Sequence, residues 1–493
     1  MQNTIIISVW GDPAQWGPVK YIVEKEEEKG EIEVHEINEK YRSTLGALMK
    51  VYPEADVLLF ISSTLGGLSK SKGYREMLEE ILSEIKEKYL KNPEYCADHD
   101  RVDLKILPGI GRFKEGNIQK SFIGRIDAFR VAAFICAYEK MVNEKPERVI
   151  LDISHGVNYM PVYVRLSVYT ALLGYLARTG GEVKWQVYNS EPKSGDNLKI
   201  MLIENSKVKY DFSIQSLFRE FEVLYERNFK LVKPNFCQNP PPTPSCEWSK
   251  FNDKVIKLVK TARSGLIIPF IEAALDIKNT RIELYEAELK RYSYLDLEKC
   301  EDIVSISDNE LRYLYYPNLT SIYLISIAYS VSAEQDMPEI YDNGYCIDCL
   351  KKKAEKFFEE PVLTIVENEI YQLKERVELA RSAELKFENW EPYNVFVKIG
   401  EISLETGETI FEKYRCCEKE ELKKILMREE IRKEIEDKIE KGRKLKPIDK
   451  RNFIAHGSLE RNITQIIDKE GKIYIKYNEE KRKEIENILK NIL

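Results

Sequence analysis

Three apolar runs recur in the first 205 residues: TIIISVW (Thr4–Trp10), DVLLFIS (Asp56–Ser62) and RVILDIS (Arg148–Ser154). Each is short, rich in β-branched residues and almost free of charge. A run with no polar alternation reads as a strand covered on both faces. Helical spacing fills the intervals, notably around Tyr74–Tyr89 and Ile123–Met141. Strands alternating with helices predict a parallel sheet with helices on both sides. EIEVHEI (Glu31–Ile37) alternates like a more exposed strand. EVKWQVY and LKIMLIE flank NSEPKSGDN, which predicts a hairpin at the sheet edge.

The alternation stops near Asn205. KPNFCQNPPPTPSCEW (Lys233–Trp248) cannot be a helix interior or a central strand. The expected organisation is therefore an α/β domain over 1–205, a connecting segment over 206–250, and a mainly helical domain with insertions over 251–493. FNDKVIKLVKTARSGLIIPFIEAAL and YQLKERVELARSAELKF have the 3.6-residue period. Glu418–Lys446 reads as one charge-dense helix ending at Gly442, its Lys/Glu run a solvated face. TQIIDKEGKIYIKY predicts a short hairpin before a final helix.

The net charge of −7 gives no general basic footprint, so a duplex-coating protein is disfavoured. A mean hydropathy of −0.41 fits a water-soluble chain. The start, MQNTIIISVWGDP, lacks the basic region of a secretory leader, and a cytoplasmic location is expected. The uncharged stretch Tyr313–Ala333 contains Pro317, Asn318 and Thr320, so a buried helix is expected there, not a membrane span. The nine cysteines form no secreted framework. Cys346 and Cys349 make a C-x-x-C, which is half of a structural zinc site; buried thiols are the simpler reading. The richness in Lys, Glu and Ile and poverty in Gln and His resemble thermophile composition, where an intracellular disulfide is less surprising.

RNFIAHGSLE (Arg451–Glu460) holds one of only four histidines. An R-x-x-x-x-H arises about 0.2 times by chance in such a chain, so spacing alone is weak. The plain reading makes Arg451 an ion-pair partner and His456 a helix C-cap before Gly457. The chemistry suggests more. Imidazole moves protons near neutrality, and guanidinium grips phosphate oxygens. Together they suit phosphodiester cleavage by a 2′-hydroxyl, which only RNA carries and which needs no metal; no carboxylate–histidine metal cluster is evident. Five residues on an ideal helix give about 140° of rotation and roughly 7.5 Å of rise, so one helix does not aim both side chains at one point. A cleft between two copies could collect both pairs.

Ligands of open α/β sheets bind beyond the carboxyl ends of the strands. Three such ends are polar or small: SVWGD (Ser8–Asp12), ISSTLGG (Ile61–Gly67) and DISHGVN (Asp152–Asn158). Candidate contacts are Trp10, Gly11, Ser62, Ser63, Thr64, Ser154, His155, Gly156 and Asn158, with backbone N–H groups available for phosphate. GIGRFKEG has the wrong spacing for a dinucleotide fingerprint. Alternatively these are ordinary turns, with His155 satisfied locally.

RNFIAH, within a helical C-terminal region, resembles the R-x-x-x-x-H motif of HEPN ribonucleases, in which the residue after the Arg is commonly Asn, here Asn452. LDISHGVNYMP (Leu151–Pro161) resembles the motif of CARF domains, which are Rossmann-like sensors. The order of the two resembles the CRISPR-associated CARF–HEPN ribonucleases that accompany type III interference complexes. The resemblance implies catalytic roles for Arg451, Asn452 and His456, no metal or cofactor, and a homodimer or higher oligomer. It further implies activation by a cyclic oligoadenylate and degradation of single-stranded RNA. The D-x-S-H-G-x-N form and the composition favour cyclic tetra-adenylate over the hexamer. The competing readings are a CARF-type transcriptional regulator and a catalytically inactive scaffold.

Overall fold

The computed structural model of the chain describes residues 3–27, 30–68, 73–115, 118–156, 159–192, 197–210, 215–221, 246–298, 301–314, 317, 319–332, 338–385, 387–416, 419–444 and 446–492. The proline-rich stretch Lys233–Trp248 lies largely outside them, as do Glu418 and Asn158. The chain divides into two compact units, Met1–Lys250 with Thr280–Ala333, and Phe251–Asn279 with Glu334–Leu493.

The first unit is built on an eight-stranded sheet. Its strands are β1 (Thr4–Trp10), β2 (Val19–Glu26), β3 (Ile32–Tyr41), β4 (Asp56–Ser62), β5 (Val102–Leu107), β8 (Arg148–His155), β9 (Glu182–Ser190) and β10 (Asn197–Lys209), in the order β3-β2-β10-β9-β8-β1-β4-β5. Strands β9, β8, β1, β4 and β5 run parallel. The apolar runs are buried as expected, and their two faces separate with period two. Ile6, Trp10, Val57, Leu59, Ile61 and Ile150 join a cluster with Leu45 and Leu48 of α1 (Thr44–Val51) and Met77 and Leu78 of α2 (Tyr74–Glu84). Ile5, Ile7, Val9, Leu58 and Phe60 alternate with them and are fully buried. Helices α3 (Ile126–Glu144) and α4 (Met160–Thr179) also lie against the strands. Ser43 caps α1 by accepting from Gly46 N at 3.2 Å. A Cβ at Gly46 would meet the Tyr41 ring at 2.4 Å, so this turn of α1 needs a glycine.

Two expectations need correction. The β9–β10 hairpin is antiparallel as read, yet it is not the edge, because β10 pairs in parallel with β2 and β3 closes that side. Residues 280–333 also do not join the helical C-terminal region. Strands β6 (Gly111–Glu115) and β7 (Ile118–Ile123) form a hairpin. After β10 come α5 (Cys246–Arg263), α6 (Ile267–Lys278) and α7 (Ile282–Tyr292), then β11 (Val304–Ser307) and β12 (Glu310–Tyr313). Strand β12 pairs in parallel with β7, giving a second sheet in the first unit. Helix α8 (Thr320–Ser332) is buried on nearly every side, and its Ser326 sits where a Cβ on Gly174 of α4 would reach 2.6 Å. That explains the uncharged stretch as a buried helix. Among the described residues no helix is long and apolar enough to cross a membrane.

The second unit contains most of α5, then α6 and α9 to α16, with a five-stranded sheet. In chain order these are β13 (Ile340–Tyr341), β14 (Gly344–Cys346), α9 (Ile347–Phe357), α10 (Val362–Ser382), β15 (Glu391–Pro392), α11 (Tyr393–Gly400), α12 (Ile410–Cys416), α13 (Lys419–Leu426), α14 (Glu429–Arg443), α15 (Lys450–Ala455), β16 (Thr464–Lys469), β17 (Lys472–Tyr477) and α16 (Arg482–Ile492). The expected hairpin and final helix are β16–β17 and α16. The expected charge-dense helix is two, α13 and α14, separated at Met427–Arg428. Helix α10 buries Val366, Ile370, Leu373 and Val377, a stripe of three- and four-residue steps.

Candidate functional sites

The carboxyl ends of β8, β1 and β4 lie side by side, with Trp10 in register with His155 on one side and Ile61 on the other. The register slips there: Ser8 faces Asp152 while Trp10 faces His155, so β8 carries an extra residue. Such a bulge re-aims the side chains that follow. Asp152 is fully buried and accepts from Ser8 Oγ (2.9 Å), Thr44 Oγ1 (2.6 Å) and Ser154 N (3.0 Å). Ser154 Oγ accepts from Ser190 N at 3.0 Å. Gly11 N donates to His155 O at 2.7 Å. A Cβ at Gly156 would lie 2.7 Å from the Pro161 ring, so the bend into α4 excludes a side chain.

His155 Nε2 accepts from Thr44 N, the first N–H of α1, at 3.1 Å. Its ring stacks on Trp16 at 4.2 Å. Burial holds the imidazole pKa below its ordinary value, against the opposing charge of Asp152. The ring is therefore neutral near pH 7 with its proton on Nδ1. Trp10 is buried, and its indole N–H has no partner among the described residues. Ser62 and Ser63 are buried and hold their own turn. Ser62 Oγ accepts from Thr64 N and Oγ1, and Ser63 Oγ accepts from Gly109 N at 2.7 Å. Tyr313 adds a 2.8 Å hydroxyl contact to Ser63 from the returning segment, which sequence reasoning missed. The strand ends thus come together, while many of their side chains serve the turns themselves.

In the second unit, Asp449 caps α15 by accepting from Arg451 N (2.8 Å) and Asn452 N (3.2 Å). The helix ends at Ala455, and His456 is its C-cap (φ −103°, ψ 26°). Gly457 and Ser458 follow at φ 55° and 69°, and Ser458 N closes on Phe453 O. This left-handed pair turns the chain sharply just after the imidazole. His456 Nδ1–H donates to Glu369 Oε1 of α10 at 2.8 Å. The carboxylate side chain is 14% exposed and the imidazole 45%, so the ring is anchored at one nitrogen and open to solvent. Arg451 and Asn452 are exposed, and Arg451 forms no ion pair with the described residues. Glu460 is buried nearby; burial pushes its carboxyl pKa up, opposed by the Asn462 N–H groups and by the charges of Arg461 and His456.

Glu369 was not singled out by sequence reasoning. It is 87 residues from His456, and 83 acidic residues give it no distinguishing signal beyond its place beside the apolar stripe of α10. The expectation of no carboxylate–histidine cluster is corrected at one place. Glu27, Glu33 and His35 bring potential ligand atoms within 4.8 Å of one another, because antiparallel β2–β3 pairing returns the chain on itself. That hairpin is in the first unit, not the unit of His456.

The fold and sites define a two-part class: a mixed, Rossmann-like sheet flanked by helices, and a mainly helical unit with an oriented, solvent-open histidine at the end of a short helix whose first turn carries an exposed arginine. Residues 5–192 match the family model for the CARF domain of CRISPR system endoribonuclease Csx1, and residues 359–479 match that for its HEPN domain. The CRISPR system endoribonuclease Csx1 of Methanocaldococcus jannaschii is 23% identical over 495 residues, covering 95% of this chain and 88% of that protein. The chain belongs to the CARF–HEPN family of CRISPR-associated accessory ribonucleases. A solved structure of Enterococcus italicus Csm6 bound to cyclic hexa-2'-fluoro-hexa-dAMP is 12% identical. It covers 89% of this chain and 100% of its own, with a TM-score of 0.22.

Proposed function

We propose that this chain is a metal-independent endoribonuclease that cleaves single-stranded RNA and is switched on by a cyclic oligoadenylate, cyclic tetra-adenylate foremost. The observation that carries the reading is the Glu369–His456 hydrogen bond, which fixes the ring through Nδ1 and leaves Nε2 for a substrate. The 2′-hydroxyl attacks phosphorus as the 5′-oxygen leaves, giving a 2′,3′-cyclic phosphate. His456 moves a proton in that step, Arg451 holds the phosphate, and Asn452 lies beside it. Arg451 stands in the first turn of the short helix and His456 caps its far end, so a homodimer supplies the composite cleft. A ring with two-fold symmetry suits the axis of such a dimer. It would be received at the three strand ends, largely by backbone N–H groups, since the side chains of Ser62, Ser63 and His155 are already engaged. Its source would be a type III CRISPR effector complex.

The test incubates single-stranded RNA with a panel of cyclic oligoadenylates in EDTA, using wild type and His456→Ala. Expected are cleavage with cyclic tetra-adenylate, cyclic phosphate ends, and a loss of about 10²–10⁴-fold in the variant. Full cleavage by His456→Ala, or a strict metal requirement, would sink the assignment. Ligand titration of a His155→Ala, Asn158→Ala double variant tests the sensor. The dose curve should move to higher ligand, and an unchanged curve and plateau would remove this turn from the site.

A further inference from the structure

Strand β14 runs into α9 through Cys346-Ile347-Asp348-Cys349, outside both stretches matched by the family models. Cys346 is the N-cap of the eleven-residue helix (φ −59°, ψ 124°), and Cys349 stands in its first turn. The two thiols therefore stand three residues apart at one helix start, the first just outside it and the second in its opening turn. Both cysteines are free. Cys346 is 4% exposed and packs with Ile467 and Tyr474, while Cys349, Tyr341 and Trp390 form the half-buried rim. One thiol is anchored in the sheet, where Cys346 pairs with Tyr474, and the other rides on the helix. Among the described residues neither belongs to a cluster of three or more metal-ligating side chains, so the half zinc site has no second half.

We propose that Cys346 and Cys349 are a reversible disulfide site that exchanges with low-molecular-weight disulfides and that bond formation disturbs the hold of α10 on His456. The exposed partner reacts first. The Cys349 thiolate attacks one sulfur of RSSR, the S–S bond breaks, and RS⁻ leaves. Cys346 gives its proton to solvent, attacks the Cys349 sulfur of the mixed disulfide and expels the second RS⁻, which is protonated. Two thiols are oxidised and RSSR becomes two RSH. Burial pushes the Cys346 thiol pKa up, consistent with its being the second to react.

The coupling half of this proposal rests on the nuclease reading above. Helix α9 is tied to α10 by ion pairs from Asp348 to Lys374 and from Lys351 to Glu367 (3.6 Å), and Glu369 is two residues beyond Glu367. A disulfide fixes the two Cβ atoms about 3.5–4.5 Å apart, and here it would tie the N-cap residue, whose ψ of 124° is not helical, to the third residue of the helix. Closure therefore constrains the first turn, which carries Asp348 between the two cysteines.

The experiment exposes the full-length protein to oxidised or reduced glutathione, blocks free thiols with N-ethylmaleimide and weighs the peptide holding both cysteines. In parallel, RNA cleavage is measured for wild type and Cys349→Ser. Expected are a peptide lighter by two hydrogens, unblocked and restored by dithiothreitol, and cleavage slowed about 3- to 100-fold in the oxidised protein, with Cys349→Ser insensitive to oxidant. Two blocked cysteines, or a lasting glutathione adduct on Cys349, overturn the site. A closed bond with unchanged cleavage overturns the coupling. If no cyclic oligoadenylate elicits cleavage from reduced protein, the nuclease reading fails and the coupling with it, while the peptide masses still decide the disulfide.

Discussion

His456 gives its Nδ1–H to Glu369 and keeps its other nitrogen open, whereas His155 commits Nε2 to the first N–H of α1. The same side chain is therefore anchored but open to solvent in one unit and holds architecture in the other. Glu369→Ala should lower kcat by about 10–100-fold, because the freed ring no longer holds one orientation toward the substrate. Glu369→Gln keeps an acceptor and should recover most of it. Steady-state cleavage of a defined RNA separates the two, and equal losses would show that orientation is not what Glu369 supplies. For His155 the sign follows from its depressed pKa. Above the unfolded value of about 6.5 both states are neutral and the contact to Thr44 is intact. As pH falls below about 6.5 the unfolded chain takes up the proton first, so stability declines. Protonated Nε2 would oppose its N–H to that of Thr44. Tm should fall between about pH 7.5 and 5.5, and His155→Gln, which keeps an acceptor, should fall less. Equal slopes in the two proteins would contradict the tautomer assigned here.

At the scale of elements, close approach decides what substitutions are tolerated. A Cβ at Gly442 in α14 would lie 2.6 Å from the Val395 Cα of α11, and a backbone atom cannot rotate away. Alanine normally gains up to about 1 kcal/mol over glycine within a helix. Here the clash should outweigh that, leaving Gly442→Ala destabilised by about 1–2 kcal/mol, read from the guanidinium midpoint. Legibility of the fold follows the same local logic. Strands β1, β4 and β8 were visible because each is an unbroken apolar run. Strand β2 was not, since VKYIVEKE alternates apolar with charged residues and ends in a Lys/Glu series that suits a surface helix equally well. The break between α13 and α14 was hidden because residues on either side share one charge pattern. Arg451 and His456 entered as candidates through local spacing and side-chain chemistry, and the strand-end turns through the ends of apolar runs. Glu369 and Tyr313 reach their sites across 87 and 250 residues respectively, a separation that periodicity does not encode.

For the whole molecule, the composite cleft proposed above would make activity a property of pairs of chains. Mixing Arg451→Ala with His456→Ala subunits, under conditions that allow exchange, should give activity above that of either pure variant, because a mixed pair retains one intact Arg451 and one intact His456. No gain over the pure variants despite proven exchange, or a monomeric active species by light scattering, would show that each chain is self-sufficient.

The path of the chain between its units carries a separate consequence. It passes from the first to the second after Lys250, back after Asn279 and out again after Ala333. No single cut releases either unit whole, and truncation after residue 205 would strip β12 from beside β7 and Tyr313 from Ser63. The two units of this chain are therefore poorly suited to being shuffled by simple gene fusion. A crossover within the chain would inherit one incomplete half, so the two parts are expected to diversify together, as a single heritable block.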